Sequence, residues 1–470
     1  MGSFKVLLVM PKHTMRFMTV EVPLGPLYLA SFLKRELGSR VDVRFVDLRL
    51  SRRPLHTLAG ALDGFGPDLV GFSLFSSQDF AGWRRDYLSV VRLHAPNARI
   101  VIGGPYPSAN PEQAVTTCSG AHCAVMGEGE MVFARLVRAM MEGDDFRALD
   151  GVAYMDNGTP VCNPRGPFIE DLDILPFPDY GLIDTERYQS PFFATMNGVV
   201  AEKRHILVMS SRGCPFHCAY CHDIFGKRAR VRSVENFMAE IRMLYDKYGI
   251  REFQIVDDIF NLDRKRMHAI LEAVIQSGMK VKLSFPNGLR GDLLTREDIL
   301  LLKRAGAYMI TFAVESASVR IQKLIKKNLD IEKVSENIRY AHEAGLITKG
   351  FFMLGFPTET VEEIKKTVSL ATSLPLDFAT FFSVAPFPGT RLYELALKTW
   401  PDMSKAYGFD FYPDISAWQA ATGVNLKAVV RMAHLRFYLP LRIVRSIFKA
   451  PLKSRILLQA GRAAWKILSM

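Results

Sequence analysis

The sequence predicts an α/β protein made of two successive βα-repeat domains. Short β-rich runs alternate with helix-like stretches from residue 4 to about residue 140, and a second alternation runs from residue 205 to residue 390. A passage rich in proline and glycine separates the two. Because apolar strands that alternate with helices form parallel sheets covered on both faces, we expect each half to fold in this way.

Composition supports a globular chain with more than one core. The 470 residues are 49% hydrophobic and 23% charged, which excludes disorder, collagen-like repeats and a multi-span membrane protein. The formal net charge is +12, but residues 415–470 contain ten Lys or Arg and no acid, so the rest of the chain carries only +2. The excess charge belongs to the tail, and we expect no general binding to nucleic acid.

Cysteine usage indicates a reducing compartment. Six cysteines are too few for a disulfide scaffold, and the N-terminal apolar run is too short for a signal peptide, so we expect a cytoplasmic protein. No stretch of 18 or more apolar residues occurs, and no membrane span is predicted. Three of the cysteines lie within eight residues of one another: Cys214, Cys218 and Cys221.

Five strands are predicted in the first half, at 4–10, 41–47, 68–74, 98–104 and 122–128, with helices such as 27–37 and 83–94 between them. In an open parallel sheet, ligands bind beyond the carboxyl ends of the strands. Glycines in three of the loops at that edge allow backbone to approach a large flat or anionic ligand, although glycines also simply end strands. The candidate contacts are Ser73, Leu74, Gly103, Gly104, Gly127, Glu128 and Gly129.

This pattern resembles, over residues 4–140, the Rossmann-like cobalamin-binding domain that precedes some radical enzymes. The resemblance implies that those candidate residues line the corrin ring and its nucleotide tail. The Asp-x-His-x-x-Gly signature that supplies an axial histidine in many cobalamin proteins is missing, and the context of His13 does not fit it. We therefore expect cobalamin bound without a protein histidine on the cobalt.

The passage from 144 to 202 is predicted to be an extended linker, because proline at its density cannot continue helices or central strands. The predicted organisation is a cobalamin-binding domain at 1–143, this linker, a second domain at 203–400 and a basic helical region at 401–470.

The strongest chemical signal is the spacing Cys214-x3-Cys218-x2-Cys221 after the apolar run 205–210. Three thiolates on one short loop suit a soft metal centre, and the absence of a nearby fourth cysteine argues against a closed structural zinc site. A [4Fe-4S] cluster held by three cysteines keeps one iron open to another ligand. The alternative is zinc with His217 or His222 as the fourth ligand.

With Gly213 before it and Tyr220 ahead of its last cysteine, the motif closely resembles that of the radical S-adenosylmethionine (SAM) enzymes, over residues 203–395. The resemblance implies that the open iron binds SAM and that one electron cleaves it to a 5′-deoxyadenosyl radical, which abstracts hydrogen from an unactivated carbon. The βα repeats that follow fit the partial (β/α)6 TIM-type barrel of this family.

Active-site groups of a parallel barrel lie at the carboxyl ends of its strands. The resemblance implies that Glu315 and Ser316 contact the methionine or ribose of SAM and that Gly355 packs against its adenine. Simpler roles are also open, because strand-end carboxylates accept hydrogen bonds from loop amides and carboxylates favour helix N-termini. The candidate cofactor-binding residues of this half are Tyr220, Asp257, Arg290, Glu315, Ser316, Gly355 and Glu359.

The order of the segments is similar to that of cobalamin-dependent radical SAM enzymes, which include C-methyltransferases and the anaerobic porphyrin cyclase. The predicted function is methyl transfer to an unactivated carbon through a 5′-deoxyadenosyl radical and methylcobalamin, and the alternative is radical oxidative cyclisation or rearrangement. A cobalamin-based sensor would not explain the cysteine loop. The expected partners are an external one-electron reductant and a hydrophobic small molecule, lipid or tetrapyrrole.

The basic tail carries one amphipathic segment. Arg442, Arg445 and Lys449 recur at helical spacing opposite an apolar stripe. Such a helix either lies on the anionic inner face of a membrane or packs its apolar side on the barrel. Peripheral membrane contact is therefore one of two open interpretations.

Overall fold

The structure is a computed structural model that describes residues 2–12, 19–75, 83–117, 120–190, 195–196, 198–222, 224–400, 419 and 422–439. The chain divides into two compact units. The first comprises Met1–Tyr188 with Ile224–Gly226, and the second begins at Gln189. Both units have the α/β character that the sequence predicts.

A seven-stranded sheet forms the centre of the first unit, in the order β2-β1-β3-β4-β5-β6-β7. The first five strands are parallel, and their apolar sequences reflect burial on both faces. The strands are β1 (Phe4–Met10), β2 (Val41–Asp47), β3 (Leu69–Ser73), β4 (Arg99–Gly103), β5 (Cys123–Val125), β6 (Val152–Asp156) and β7 (Thr159–Cys162).

Helices connect the strands of this sheet, as expected for βα repeats. The predicted helix at 83–94 begins with a π-helical turn, Trp83–Tyr87. The α-helices of the unit are α1 (Leu24–Leu37), α2 (Pro54–Phe65), α3 (Leu88–His94), α4 (Pro105–Ala109), α5 (Pro111–Thr117) and α6 (Gly129–Glu142).

The stretch 144–202 differs in its first part from the extended linker that the sequence predicts. Strands β6 and β7 form a hairpin that pairs antiparallel with β5 and extends the sheet. Asn157 and Gly158 turn the chain between them with positive φ of 47° and 84°, which is the geometry of a two-residue hairpin loop. Pro160 is tolerated because β7 is an edge strand.

Six parallel strands form the barrel of the second unit. They comprise two three-stranded sheets, in the orders β12-β11-β8 and β13-β14-β15, which two parallel bridges connect: Leu283 to Ala307 and Leu289 to Phe312. The result confirms the predicted partial (β/α)6 barrel. The strands are β8 (His205–Val208), β11 (Glu252–Ile255), β12 (Lys282–Ser284), β13 (Met309–Glu315), β14 (Ile347–Leu354) and β15 (Phe378–Ser383), and a short pair, β9 (Ser211–Arg212) and β10 (Arg230–Val231), follows β8.

Each barrel helix begins at a side chain that caps its N-terminal amides. Thr295 and Thr360 form capping boxes with Asp298 and Glu363, and Ser233 accepts from the Asn236 amide. The helices are α7 (Val234–Tyr248), α8 (Arg264–Gln276), α9 (Arg296–Arg304), α10 (Val319–Leu324), α11 (Ile331–Glu343), α12 (Val361–Ser373), α13 (Arg391–Thr399) and α14 (Leu426–Tyr438).

The described part of the C-terminal region, α14, packs on the barrel. His434 accepts a hydrogen bond from the Phe381 amide of β15, and the Tyr438 hydroxyl donates to the Ala379 carbonyl. Among the described residues, no helix has the length and apolar character needed to cross a membrane. The amphipathic segment containing Arg442, Arg445 and Lys449 lies outside the described residues.

Candidate functional site

The three clustered cysteines lie on the loop that follows β8 and β9, at the carboxyl end of the first barrel strand. Cys214 and Cys218 are half-buried, and Cys221 is exposed. The Cys221 amide donates to the Cys218 carbonyl at 3.1 Å, which forms a tight turn between the last two thiols. The loop therefore presents all three sulfurs at the edge of the barrel where an active site is expected.

Two carboxylates from the end of β11 hold the start of this loop. Asp257 accepts hydrogen bonds from the Ser210 amide and hydroxyl and from the Ser211 hydroxyl, at 2.5 to 2.6 Å. Asp258 accepts from the Gly213 amide at 2.7 Å. Burial raises the pKa of both carboxyl groups. These contacts correspond to the simpler role that the sequence left open, in which strand-end carboxylates accept hydrogen bonds from a loop. They position the segment that leads into Cys214.

Ala219 fixes the middle of the loop. Its amide donates to the Ile325 carbonyl at 2.7 Å, and its carbonyl accepts from the Leu392 amide at 2.8 Å. The Ala219 side chain is buried in an apolar cluster with Ile325, Phe356 and Leu392. Backbone bonds on both sides of one residue restrain the segment between Cys218 and Cys221.

Tyr220, which is half-buried, forms a polar triad with the buried side chains of Glu315 and Lys327. Its hydroxyl donates to Glu315 Oε1 at 3.1 Å, and Lys327 Nζ lies 2.8 Å from the same oxygen and 3.3 Å from the tyrosine hydroxyl. Burial, with the neighbouring Glu315 carboxylate, raises the pKa of Tyr220. Glu315 ends β13 in the left-handed region at φ 66°, next to a register shift. A non-glycine residue there carries backbone strain, as residues at ligand sites often do.

Arg290 covers another residue of the cysteine loop. Its guanidinium lies 4.0 Å from the centre of the Phe216 ring, a cation–π contact. The same group donates to both oxygens of Asp292 and to the Lys327 carbonyl. Each of these contacts of Arg290 is made to another residue of the protein. Together they connect the cysteine loop to the segment that follows the third barrel strand, β12.

Ser316 and Glu359 accept hydrogen bonds from backbone amides of nearby turns, and Gly355 provides one of those amides. The Ser316 side chain is fully buried, lies 3.3 Å from the Thr367 hydroxyl and accepts from the Ser318 amide. Glu359 Oε2 accepts from the Gly355 and Phe356 amides, and burial raises its pKa to about 7. Gly355 has a φ of 90°, and a side chain there would collide with Leu426 of α14.

The donor set offers three thiols on one loop, which are the ligands that iron–sulfur clusters take. Among the described residues, no group of three or more His, Cys, Asp or Glu side chains is already placed around one point. Thiols that each bind a different iron need not converge on one point. Burial raises the pKa of the Cys214 thiol, so a bound metal centre must compensate for the cost of the thiolate.

In the first unit, the predicted glycines lie at the carboxyl ends of β4 and β5. Gly127 has a φ of 73°, and a Cβ there would meet open space, which leaves room for a ligand. Gly104 is different: at φ 101° its Cβ would lie 2.7 Å from the Leu74 carbonyl oxygen, so the chain itself requires glycine. Ser108 joins the two loops, because its hydroxyl donates to the Gly104 carbonyl and accepts from the Gly127 amide.

Of the other candidates of this edge, Leu74 and Glu128 are buried, and Ser73 and Gly129 are half-buried. Leu74 is fully buried, and its amide donates to the Gly103 carbonyl. Glu128 is buried and accepts from the Ile169 amide at 2.8 Å. Ser73 is half-buried at the end of β3, and Gly129 begins α6. Among the glycines of this edge, Gly127 leaves open space, which fits the close approach of a flat ligand. His13 lies outside the described residues.

Lys327, Ala219 and Ser108 contact candidate site residues but are not among the residues that the sequence analysis predicts. Each bonds to a residue outside its own segment: Lys327 to Tyr220, Ala219 to Leu392, and Ser108 to Gly127. No local motif marks Lys327 or Ala219. For Ser108, the Pro-Tyr-Pro-Ser turn sequence after Gly104 is a local signal.

Two family profiles match the sequence. The Radical SAM superfamily matches residues 208–371, and the B12 binding domain matches residues 16–137. The chain is 31% identical to a protein named as an uncharacterized methyltransferase of Pyrococcus horikoshii, over 96% of both chains. It is 30% identical to the cytidylyl-2-hydroxyethylphosphonate methyltransferase of Streptomyces wedmorensis, over 71% of this chain and 67% of the relative.

A third relative differs in reaction, and the solved structures agree in fold. The anaerobic magnesium-protoporphyrin IX monomethyl ester cyclase of Rubrivivax gelatinosus is 27% identical over 78% of this chain and 65% of its own length. The radical SAM methyltransferase TsrM of Kitasatospora setae superposes with a TM-score of 0.70 at 19% identity, covering 86% of this chain and 77% of that one. The cobalamin-dependent enzyme OxsB gives 0.64 at 18% identity, over 88% and 58%.

Proposed function

Because this chain belongs to the cobalamin-dependent radical SAM enzymes, we propose that it transfers a methyl group to an unactivated carbon of a small molecule. The observation that carries the proposal is the methyltransferase-named relative that matches 96% of both chains. The matching profiles confirm the predicted family and the predicted two-part α/β fold. They also confirm the predicted cofactor set, which is a [4Fe-4S] cluster, SAM and cobalamin.

The chain supplies positions for three cofactors. Cys214, Cys218 and Cys221 would hold the cluster and leave one iron for SAM, and the glycine loops at Gly103 and Gly127 would receive cobalamin. When bound, the cluster and SAM supply the radical that removes a substrate hydrogen, and cobalamin supplies the methyl group. Since hydrogen is removed by a radical, no side chain needs to act as a general base.

The other site residues keep this loop in place. Asp257 and Asp258 hold the chain before Cys214, and Ala219 holds the chain between the other two cysteines. We assign Glu315, together with Tyr220, to the SAM side of the site. Lys327 pairs with the Glu315 carboxylate, so that this buried negative charge is compensated.

Oxidative cyclisation without methyl transfer is the second candidate, and the similarity to the cyclase favours it. Both reactions require a small-molecule substrate and an external one-electron reductant. A substrate with an extended apolar body, such as a lipid or tetrapyrrole, is our proposal for either case.

Product analysis tests the assignment. The reconstituted, cobalamin-loaded protein, supplied anaerobically with reductant, SAM and candidate substrates, should form S-adenosylhomocysteine and 5′-deoxyadenosine together. Deoxyadenosine alone would remove the methyltransferase proposal and favour the cyclase. Alanine at Cys214, Cys218 or Cys221 should abolish iron binding and SAM cleavage, whereas Cys162→Ala, at an exposed cysteine of the hairpin, should leave both unchanged.

The basic segment beyond α14 supports a proposed peripheral contact with an anionic membrane. Truncation after Leu439 keeps α14, so it separates this contact from the packing of α14 on the barrel. Co-sedimentation with anionic liposomes that is lost in this truncation would support the contact, and equal sedimentation of both proteins would contradict it.

A further inference from the structure

The helix α14 has one face on the barrel and an opposite face that is open. Its buried residues recur at helical spacing: Leu426, Val430, Ala433, His434 and Phe437. Hydrogen bonds of His434 and Tyr438 with β15 hold this face in place. At about 100° of rotation per residue, the side chains half a turn away point off the barrel.

An apolar stripe runs along the open face. Its residues follow one another at steps of four, three and four positions, within about 60° of arc: Ala428, Met432, Leu435 and Leu439. Met432 is 60% exposed and Leu439 is 76% exposed. Leu439 keeps helical backbone angles, with φ −60° and ψ −38°, so it continues the stripe past the last helical turn. Large apolar side chains aligned on one open face indicate an interaction surface.

Basic side chains border the stripe on both sides. Lys427 and Arg431 lie along one edge, and Arg436 lies along the other. Lys427 and Arg436 are exposed, Arg431 is half-buried, and none of the three forms an ion pair with a described residue. The helix contains no acidic residue. An apolar stripe between unpaired cations is typical of a helix that lies in the interface of an anionic bilayer.

The charge of this face indicates which partner fits it. Residues 440–470 carry seven Lys or Arg and no Asp or Glu, so the segment that follows α14 would repel the cations beside the stripe. A second copy docked on the same face would bring the basic borders of two helices together. An anionic lipid surface complements both the helix and the segment that follows it.

We propose that the open face of α14 is a membrane-docking surface, on which the apolar stripe enters the lipids and the bordering cations contact the phosphate groups. The inference rests on the proposed peripheral contact, because it takes the same partner. It adds a second point of attachment, made by a helix whose structure is described. Since the opposite face of α14 packs on β15, this attachment holds the barrel itself at the lipid surface.

Vesicle co-sedimentation of the reconstituted full chain tests the apolar stripe. The vesicles contain phosphatidylcholine mixed with phosphatidylglycerol. Met432→Gln combined with Leu439→Gln removes the two most exposed apolar side chains of the stripe and keeps good helix formers. This variant should bind the vesicles about 10-fold more weakly or less, because its apolar side chains no longer leave water. Leu93→Gln, at a leucine of α3 that is 77% exposed, is the matched control and should bind as the unmodified protein does.

A second variant tests the cations. Each Lys or Arg near an anionic surface contributes about 1 kcal/mol, which is roughly fivefold in binding, so Lys427→Gln combined with Arg436→Gln should weaken binding about 10- to 30-fold. On vesicles of phosphatidylcholine alone, this variant and the unmodified protein should bind equally weakly. Iron content and far-ultraviolet circular dichroism check that each variant is folded. If the apolar variant fails to incorporate iron, the charge variant decides.

The outcomes separate this surface from the segment beyond it. Unchanged binding of the Met432→Gln, Leu439→Gln variant would overturn the inference even if truncation after Leu439 abolishes sedimentation, since the later segment would then be the contact. If the truncated protein sediments as well as the full chain and the α14 variants do not, the inference holds and the contact of the later segment fails. A full chain that is dimeric in light scattering without vesicles, and monomeric in the Met432→Gln, Leu439→Gln variant, would overturn the inference in favour of self-association.

Discussion

The buried ion pair of Lys327 and Glu315 allows the electrostatics of the site to be tested as a stability measurement. The two groups are 2.8 Å apart, and their side chains are 8% and 9% exposed. Lys327→Met would leave the Glu315 carboxylate buried with only the Tyr220 hydroxyl as a described donor. Loss of one partner of a buried pair costs about 3 to 5 kcal/mol, so we expect the free energy of unfolding to fall by that amount.

The double substitution Glu315→Gln with Lys327→Met removes both charges. The remaining loss is that of the hydrogen bonds, about 1 to 2 kcal/mol, so the second substitution should recover about 1 to 4 kcal/mol of the first. A recovery of this size is a coupling between the two sites and cannot arise from independent effects.

Urea unfolding of the reconstituted full chain under anaerobic conditions, followed by far-ultraviolet circular dichroism, measures these differences. A loss of 3 kcal/mol corresponds to roughly a 150-fold change in the unfolding equilibrium. Lys365→Met breaks an exposed pair with Glu362 and should change stability by less than about 1 kcal/mol. Single-variant effects that add to the double-variant effect within about 0.5 kcal/mol would refute the coupled pair.

Three further predictions concern other parts of the two units. Gly104→Ala should destabilise the first unit by about 2 to 4 kcal/mol, because φ is positive there and the new Cβ would collide with backbone. The same variant should retain less cobalamin in gel filtration. Its control is Gly143→Ala, since Gly143 also has a positive φ but open space for a Cβ. Burial raises the pKa of Glu252 to about 7 from an ordinary 4.5, so stability should fall as pH rises between these values, and Glu252→Gln should reduce that fall in urea titrations at pH 5 and pH 8. Asp258→Ala removes the acceptor of the Gly213 amide and should lower the iron content per chain after reconstitution.

Each of these has an outcome that would contradict it. Equal melting of Gly104→Ala and Gly143→Ala would show that the backbone contact carries no cost of its own. A pH dependence of Glu252→Gln as steep as that of the unmodified protein would assign the titration to other groups, such as Glu359. Full iron incorporation by Asp258→Ala would show that the loop holds its shape without this carboxylate.

Local pattern was sufficient for most of the fold. Strands β1 and β2 occupy the predicted ranges 4–10 and 41–47, because the apolar runs of a buried parallel sheet are continuous and end at clear turn signals. The hairpin of β6 and β7 was missed because proline density outweighed the Asn157–Gly158 turn signal. An edge strand accepts proline where a central strand does not, and edge position is a property of the assembled sheet.

The candidate site also combines features that local sequence predicts with features that depend on distant contacts. The cysteine spacing is a local property and could be read from the chain directly. The partners of Tyr220 and Ala219 come from residues about one hundred or more positions later, so no window of sequence contains them. The contacts of Glu315 also depend on a positive φ, which a glutamate in the sequence does not signal.

The two bonds of Ala219 also set an order of assembly. The cysteine loop emerges early in synthesis, but its anchors at Ile325 and Leu392 emerge about 100 and about 170 residues later. Until those segments have folded, the loop that carries the thiols lacks its hydrogen bonds to Ile325 and Leu392. Non-local contacts of this kind form slowly. Maturation with iron and sulfide is therefore expected to follow completion of the barrel during biosynthesis, with the thiols exposed to oxidants in the interval.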